Sequence, residues 1–212
     1  MTALGLLLAT MEPPPAMEEE YQDWYDTEHF PERRDCEGFL TAGRYICLEG
    51  WPKYLALYDL ADTDVLQGEA YAAIAVRKYS PWTHRIMAKV WGQYRADARQ
   101  VYPGSARMGD NGPAARVVFW RFKGAPVSAQ AAIVAGLTAL YGGKAETAQF
   151  RLFFARQPDG SSDFIALAEL RTPRLGETGS VGAFGEAARY IDLVNVYVPY
   201  SRRSEGSFPA KA

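Results

Sequence analysis

Apolar runs and alternating apolar positions divide the chain into strand and helix segments. Strands are predicted near 3–11, 38–48, 53–60, 90–101, 115–123, 147–156, 163–170 and 190–199. Helices are predicted over 15–30, 126–141 and 174–187, with a broken helical region over 63–88. Several strands, such as 53–60, are apolar at both parities, which is typical of strands that are covered on both faces.

The chain repeats itself. The segment 54–60 (YLALYDL) matches 164–170 (FIALAEL), and 6–8 (LLL) corresponds to 117–119 (VVF). Both pairs lie about half the chain apart and in the same order, as expected for a duplicated unit. Each half is predicted to run strand, helix, strand, strand, helix, strand, which is the order of a ferredoxin-like βαββαβ unit.

Such a unit packs both helices on one face of a four-stranded sheet and leaves the other face bare. Two units in one chain can bury their bare faces against each other. We therefore expect an α+β fold in which two fused ferredoxin-like units form an intramolecular dimeric α/β barrel. The first unit is placed at 1–105, the second at 113–200 and a polar tail at 201–212. The chain could then be a monomeric pseudo-dimer, or a homodimer that pairs through outer sheet edges.

Composition narrows the classes of partner. The net charge is -2 and no long basic run occurs, so nucleic-acid binding is not expected. The two cysteines make neither a disulfide framework nor a zinc motif, which favours a reducing cytoplasm. The apolar run 4–9 is too short to span a membrane and is interpreted as a buried strand. These features predict a cytoplasmic protein without membrane or nucleic-acid partners.

The segment 24–32 (WYDTEHFPE) places one of the two histidines at the end of an acidic, aromatic-rich helix. Tyr25 and His29 lie one turn apart at the edge of one stripe of this helix, a position from which side chains can reach a cleft. Pro31 is expected to end the helix just after His29, near loops where chemistry usually occurs. The stripe itself consists of Met17, Tyr21, Trp24 and Glu28.

This block, together with 36–39 (CEGF) and 53–60 (KYLALYDL), resembles the EthD-like group of dimeric α/β-barrel proteins. The second half is similar by fold pattern only. The wider superfamily includes cofactor-free monooxygenases, polyketide cyclases, muconolactone isomerases, dehalogenases, lyases and haem-binding enzymes. Many act on small aromatic or lactone-like molecules in a cleft between sheet and helices. The resemblance implies that His29 handles protons, and that the first half carries the site while the second is mainly structural.

Three residues are the leading site candidates. His29 can accept and donate a proton near neutral pH, although it could instead cap the helix or bond a backbone carbonyl. Tyr25 could orient the His29 ring or donate a hydrogen bond to a substrate oxygen. Alternatively, it is a packed aromatic residue. Arg44 shares a strand face with apolar residues and so needs an anionic partner. An internal ion pair, to Glu28 or Asp59, is favoured slightly over a ligand.

The remaining substrate-binding candidates are aromatic or cationic side chains on the first helix, on predicted strands and in the region 63–88. The tyrosines are expected to line a pocket or the barrel, and His84 with Arg85 could bind a substrate carboxylate unless they lie at the surface. No spacing of histidines and carboxylates indicates a metal, and no glycine-rich loop indicates a nucleotide, so no cofactor is expected. These candidates are Trp24, Tyr45, Tyr54, Tyr58, Trp82, His84 and Arg85.

The leading hypothesis is a cofactor-independent enzyme acting on a small oxygenated aromatic or polyketide-like molecule. His29 would move a proton as general base with help from Tyr25, in a lyase, dehydratase or isomerase reaction. Two alternatives stay open. One is a cofactor-free or haem-assisted monooxygenase, with His29 or His84 as axial ligand in the haem case. The other is a non-catalytic protein that binds a small ligand.

Overall fold

Eight antiparallel strands close on themselves in the computed structural model, which describes residues 3–75, 78–173 and 178–200. The strand order is β1-β3-β2-β8-β5-β7-β6-β4, and β4 pairs back onto β1. The chain therefore has an α+β dimeric α/β-barrel fold. The strands are β1 (Gly5–Glu12), β2 (Gly43–Glu49), β3 (Tyr54–Leu60), β4 (Trp91–Tyr102), β5 (Arg116–Lys123), β6 (Thr147–Arg156), β7 (Ser162–Leu170) and β8 (Ile191–Pro199).

Helices cover the outside of this barrel. A long helix in the first half begins with a 3₁₀ turn at Pro15–Met17 and continues without a break to Arg34. Its parts are α1 (Glu18–Trp24), a π-helical turn (Tyr25–His29) and α2 (Phe30–Arg34). The other helices are 3₁₀ Asp64–Gln67, α3 (Glu69–Ala72), α4 (Pro81–Met87), 3₁₀ Val127–Ala129, α5 (Gln130–Tyr141) and 3₁₀ Val181–Tyr190. No helix in the described ranges is long and apolar enough to cross a membrane.

The two halves have the same strand arrangement. The first half is ordered β4-β1-β3-β2 and the second β8-β5-β7-β6, and the halves meet through the pairs β2–β8 and β4–β6. The register also corresponds. Leu7 pairs with Tyr58 in the first half, and Val118 pairs with Ala168 at the equivalent place in the second. The sequence repeat thus coincides with a structural one.

Strand β3 shows why its sequence is apolar at both parities. Leu55 and Leu57 point into the barrel, where they pack with apolar side chains from both halves. Tyr54 and Tyr58 point the other way, into the layer between sheet and helices. A second layer of the same kind covers the other half. Each strand of this type lies between two cores, so neither face tolerates a run of polar residues.

One arginine in the barrel interior is shared by two acidic residues. Arg151 on β6 lies 2.6 Å from Asp59 and 3.0 Å from Glu169, and all three side chains are at most 2% exposed. The two acidic residues occupy equivalent positions in the matching segments 54–60 and 164–170. The loop after β4 covers this end of the barrel, since the Met108 N–H donates to Asp59 and the Gly109 N–H to Glu169.

The structure corrects several predicted boundaries. Pro31 does not end the first helix, which runs to Arg34. The predicted strand 38–48 forms only from Gly43, preceded by a single bridge between Phe39 and Leu60. In the predicted region 63–88, the described residues 63–75 and 78–88 contain only short helices, and the segment 181–190 is 3₁₀ rather than α-helical. Residues 174–177 of that last predicted helix, and the tail 201–212, lie outside the described residues.

The buried ion pairs predict a large cost for removing their cation. Arg151→Met should lower the free energy of unfolding by about 3–5 kcal/mol, because two carboxylates would remain buried without their partner. Arg99→Met, on the exposed face of β4, should change it by less than about 0.5 kcal/mol. Urea unfolding followed by circular dichroism measures both. A loss below about 1 kcal/mol in Arg151→Met would show that the acidic residues are not held charged by this arginine.

Candidate active site

A cavity of about 110 Å³ lies between the first long helix and the outer face of the first-half sheet. The helix contributes Tyr25, His29 and Arg33, and the strands contribute the opposite wall. The Arg95 side chain at its rim is 45% exposed, so the cavity reaches the surface there. Its full lining is Leu7, Ala9, Thr10, Met11, Tyr25, His29, Arg33, Tyr58, Tyr79, Met87, Gln93, Tyr94 and Arg95.

The π-helical turn places two candidates on the cavity wall. The Phe30 N–H donates to the Tyr25 carbonyl, five residues back, so the helix is locally wider than an α-helix. Pro31 follows directly and has no N–H to donate to the preceding turn. Such single π turns occur often at functional sites. Here the turn spans Tyr25–His29, and the two rings lie 5.2 Å apart between centroids.

His29 is buried among aromatic rings. Only 6% of the residue is exposed, and its ring centroid lies 4.1 Å from that of Trp24. Its Nδ1 has no hydrogen-bond partner among the described protein atoms. A buried polar nitrogen without a partner is costly and rare, and a catalytic role is one of the reasons for which it occurs. His29 Nδ1 is therefore not bonded to a backbone carbonyl, which was one alternative that the sequence left open.

The electrostatic surroundings keep the His29 imidazole neutral. Burial lowers its pKa well below the ordinary value, and the positive charges of Arg33, Arg44 and Arg95 lower it further. A neutral imidazole is the form that can accept a proton. The same surroundings disfavour the imidazolium that forms afterwards.

Tyr58 lines the same cavity from strand β3. Its hydroxyl is buried and has no hydrogen-bond partner among the described atoms. Burial raises the pKa of this phenol well above its ordinary value, so the hydroxyl stays protonated and can donate. Burial likewise raises the pKa of Tyr25. The cavity therefore combines a neutral base with phenolic donors.

Arg44 forms an internal ion pair rather than facing the cavity. Its guanidinium pairs with Asp26 and hydrogen-bonds to Gln22, so neither Glu28 nor Asp59, the partners expected from the sequence, is the correct one. The guanidinium carbon also lies 4.3 Å from the centroid of the Tyr25 ring. Arg44 thus packs against the Tyr25 ring and adds positive charge near the site.

A hydrogen-bonded network fixes the other side of the helix. Glu28 accepts from Ser80 at 2.5 Å and from Thr83 at 2.8 Å, and Thr83 in turn accepts from the Trp24 indole N–H at 2.9 Å. Ser80 is the N-cap of α4, as the sequence predicts. Trp24 is therefore held by α4 on one edge and contacts His29 with its ring. It positions His29 but is not among the residues that line the cavity.

The structure places five other candidates outside the cavity. Tyr45 points into the barrel interior, and Tyr54 hydrogen-bonds to Glu18 on the outer side. Trp82 donates to Glu20 at 3.2 Å. His84 and Arg85 are exposed on α4, and Arg85 pairs with the same Glu20 at 2.7 Å. Of the ten predicted site residues, only Tyr25, His29 and Tyr58 line the cavity.

Sequence reasoning missed the two arginines of the cavity. Arg33 lies one turn after His29 and beyond Pro31, where the sequence predicts that the helix ends. Arg95 lies on β4, in register with Ala9 across the sheet. The alternation of β4 was a usable signal for Arg95, since residues 95 and 97 must share a face opposite to the buried Ala96 and Ala98.

The second half has no equivalent space at this place, because a large side chain fills it. The register equates Ala9, which lines the cavity, with Trp120. Trp120 is fully buried, donates to the Tyr141 hydroxyl at 2.9 Å and packs against Phe184 at 4.9 Å between ring centroids. The expectation that the second half is mainly structural stays a prediction, which this packing supports.

The cavity does not fit a haem group. Its volume of about 110 Å³ is far below the roughly 300–1,000 Å³ of pockets for drug-sized ligands. His84, the other proposed axial ligand, is exposed on α4; its ring lies 5.9 Å from that of Tyr79 between centroids, but His84 does not line the cavity. Within the described ranges, no group of three or more histidine, cysteine, aspartate or glutamate side chains is arranged to hold a metal ion.

No protein-family model and no curated protein matches the chain by sequence. Solved structures resemble it in fold. An anthrone oxidase-like protein is 15% identical with a TM-score of 0.54, covering 95% of this chain and 92% of its own. A heme-binding protein from Thermus thermophilus is 13% identical with a TM-score of 0.55, covering 95% and 92%. A provisionally assigned monooxygenase from Fusobacterium nucleatum is 8% identical with a TM-score of 0.53, covering 100% and 99%. At these identities the likeness establishes the dimeric α/β-barrel fold that the chain shares with them.

Proposed function

We propose that this protein is a cofactor-independent enzyme in which His29 removes a proton from carbon in a small oxygenated aromatic or polyketide-like substrate. One observation carries the proposal. His29 Nδ1 and the Tyr58 hydroxyl are both buried, both lack a hydrogen-bond partner, and both belong to residues that line the same cavity. Two unpaired polar groups facing one space are readily explained if a substrate pairs with them.

The roles follow from protonation states. His29 is neutral because its pKa is lowered, so it is ready to accept a proton from a carbon next to a carbonyl group. The resulting enolate oxygen needs a hydrogen-bond donor, and the protonated Tyr58 hydroxyl is an unpaired donor on a residue that lines the same cavity. Returning the proton to another carbon gives an isomerisation, and expelling a leaving group gives a lyase or dehydratase reaction.

A cofactor-free oxygenation is the second candidate. It begins with the same deprotonation, after which the substrate carbanion supplies electrons to O₂. The likeness in fold to an anthrone oxidase-like protein favours keeping this candidate. Oxygen uptake separates the two reactions, since isomerisation and elimination consume none. We further propose that the barrel arose from two fused ferredoxin-like units related to the EthD-like group, as the common strand order of its halves supports.

Replacing His29 tests the base directly. His29→Gln should slow hydrogen exchange at the acidic carbon of an enolisable aryl ketone by about 10²–10⁴-fold, because the amide cannot accept the proton. NMR in D₂O measures the exchange. His84→Gln is the matched control, since His84 is exposed outside the cavity, and it should exchange like the unmodified protein. Exchange at the original rate in His29→Gln would reject His29 as the base.

Filling the cavity tests its location. Ala9→Trp introduces the residue type that occupies the equivalent place in the second half. It should abolish the hydrogen exchange of the aryl ketone while the barrel stays folded. Ala9→Gly leaves the cavity open and should retain activity. Overpacking costs about 1–3 kcal/mol, which thermal melting would register. A folded Ala9→Trp variant with full activity would place the reaction elsewhere.

The His29 pKa gives a test without substrate. NMR titration of the chain's two histidines, assigned with His84→Gln, should show His29 neutral down to a pH well below about 6.5. Because the folded pKa is the lower one, the unfolded state binds the proton first as pH falls. Stability should therefore decrease as pH drops from about 6.5 towards the folded pKa. This decrease in stability should be smaller in His29→Gln. An ordinary pKa for His29 would contradict the burial of its side chain in the structure.

A further inference from the structure

We propose that the cavity selects substrates that carry a carboxylate, and that Arg95 with Arg33 binds this group. The inference deepens the proposed function, because it concerns the same cavity and names the class of its substrate as small aromatic carboxylates. Neither arginine was among the candidates from the sequence.

The charge around the cavity is unbalanced. The described lining contains two guanidinium groups, those of Arg33 and Arg95, and no carboxylate. Their acidic partners lie at the edges: Glu32 is 3.4 Å from Arg33, and Asp97 is 2.9 Å from Arg95. Both carboxylates are more than a third exposed, so water screens these pairs.

Arg33 is the more unusual of the two arginines. Its side chain is only 4% exposed, yet its hydrogen-bond partners are the His29 carbonyl at 3.1 Å and the partly exposed Glu32 carboxylate at 3.4 Å, both bonded through Nη1. A guanidinium has five N–H donors, and a buried one normally has a close carboxylate. Arg151 in the barrel interior shows the usual arrangement in this chain, with two acidic residues within 3.0 Å.

Arg95 lies at the entrance. It pairs with Ala9 of the neighbouring strand β1. Its Nη1 donates to the Tyr71 hydroxyl at 2.9 Å, which holds the planar guanidinium in place. A planar, fixed guanidinium suits the two oxygens of a carboxylate. The cavity body behind it is lined by Tyr25, Tyr58 and Tyr79, with Met87. The volume of about 110 Å³ is below the roughly 150 Å³ of a cavity that holds benzene, so a single ring fits only if part of it projects through the entrance towards Arg95.

Paired probes test the inference. Benzoate and benzamide have the same shape and differ in charge, and their binding can be followed through the His29 imidazole signals in NMR. Benzoate should bind at least tenfold more tightly than benzamide. Arg95→Gln should weaken benzoate binding about tenfold and leave benzamide unchanged, whereas Arg95→Lys should restore part of the loss.

Arg99→Gln is the matched control. It removes the same charge from the same face of β4, about 13 Å further along the strand, and it does not line the cavity. It should leave benzoate binding unchanged. Thermal melting of each variant shows whether it is folded.

The outcomes separate the two proposals. If benzamide binds as tightly as benzoate, or if Arg95→Gln and Arg99→Gln weaken benzoate equally, carboxylate selection is wrong while the proposed proton transfer stands. If neither probe changes the His29 signals at millimolar concentration, the carboxylate proposal is overturned. The hydrogen-exchange test with the neutral aryl ketone then decides the proposed function by itself.

Discussion

The need to bury both faces of each sheet determines the rest of this structure. Helices cover only the outer face, so the inner faces must cover each other, and strand pairs β2–β8 and β4–β6 close the barrel that does so. Its interior is then filled by side chains from both halves, including the Arg151 ion pairs. The cavity beside His29 lies outside the barrel, between sheet and helix.

The two halves of the barrel have the same strand order but fill equivalent positions differently. At equivalent positions, Ala9 leaves a cavity and Trp120 closes one. Tyr58 and Ala168 show the opposite exchange on the neighbouring strand, which brings a hydroxyl into the open half. The second half packs without an unpaired polar group at Trp120, because Tyr141 accepts its indole N–H. The first half leaves His29 Nδ1 and Tyr58 unpaired, a cost that stable packing alone would not select.

The fold could be predicted from the sequence because it depends on period and repetition, which the residues show directly. The closeness of Tyr25 and His29 followed from their one-turn spacing. The sheet faces were harder: local pattern places Tyr54 and Tyr58 together but does not say which parity faces the barrel, so Tyr45 was grouped with them although it points inward. Arg33 was missed because Pro31 normally ends a helix, and here a π turn accommodates it. The alternation of β4 indicates which face Arg95 occupies, but its position beside Ala9 depends on strand register across 86 residues of chain, which no local pattern contains.

The arginines around His29 also constrain the chemistry. Burial lowers the pKa of the imidazole and these charges lower it further, which makes His29 a weaker base than a histidine in water. A weak base can remove a proton only from a carbon acid whose anion is well stabilised. The positive charges that weaken His29 supply part of that stabilisation when the anion forms beside them. The site is therefore suited to carbons flanked by carbonyl or aromatic groups, where the negative charge moves onto oxygen, and poorly suited to unactivated C–H bonds.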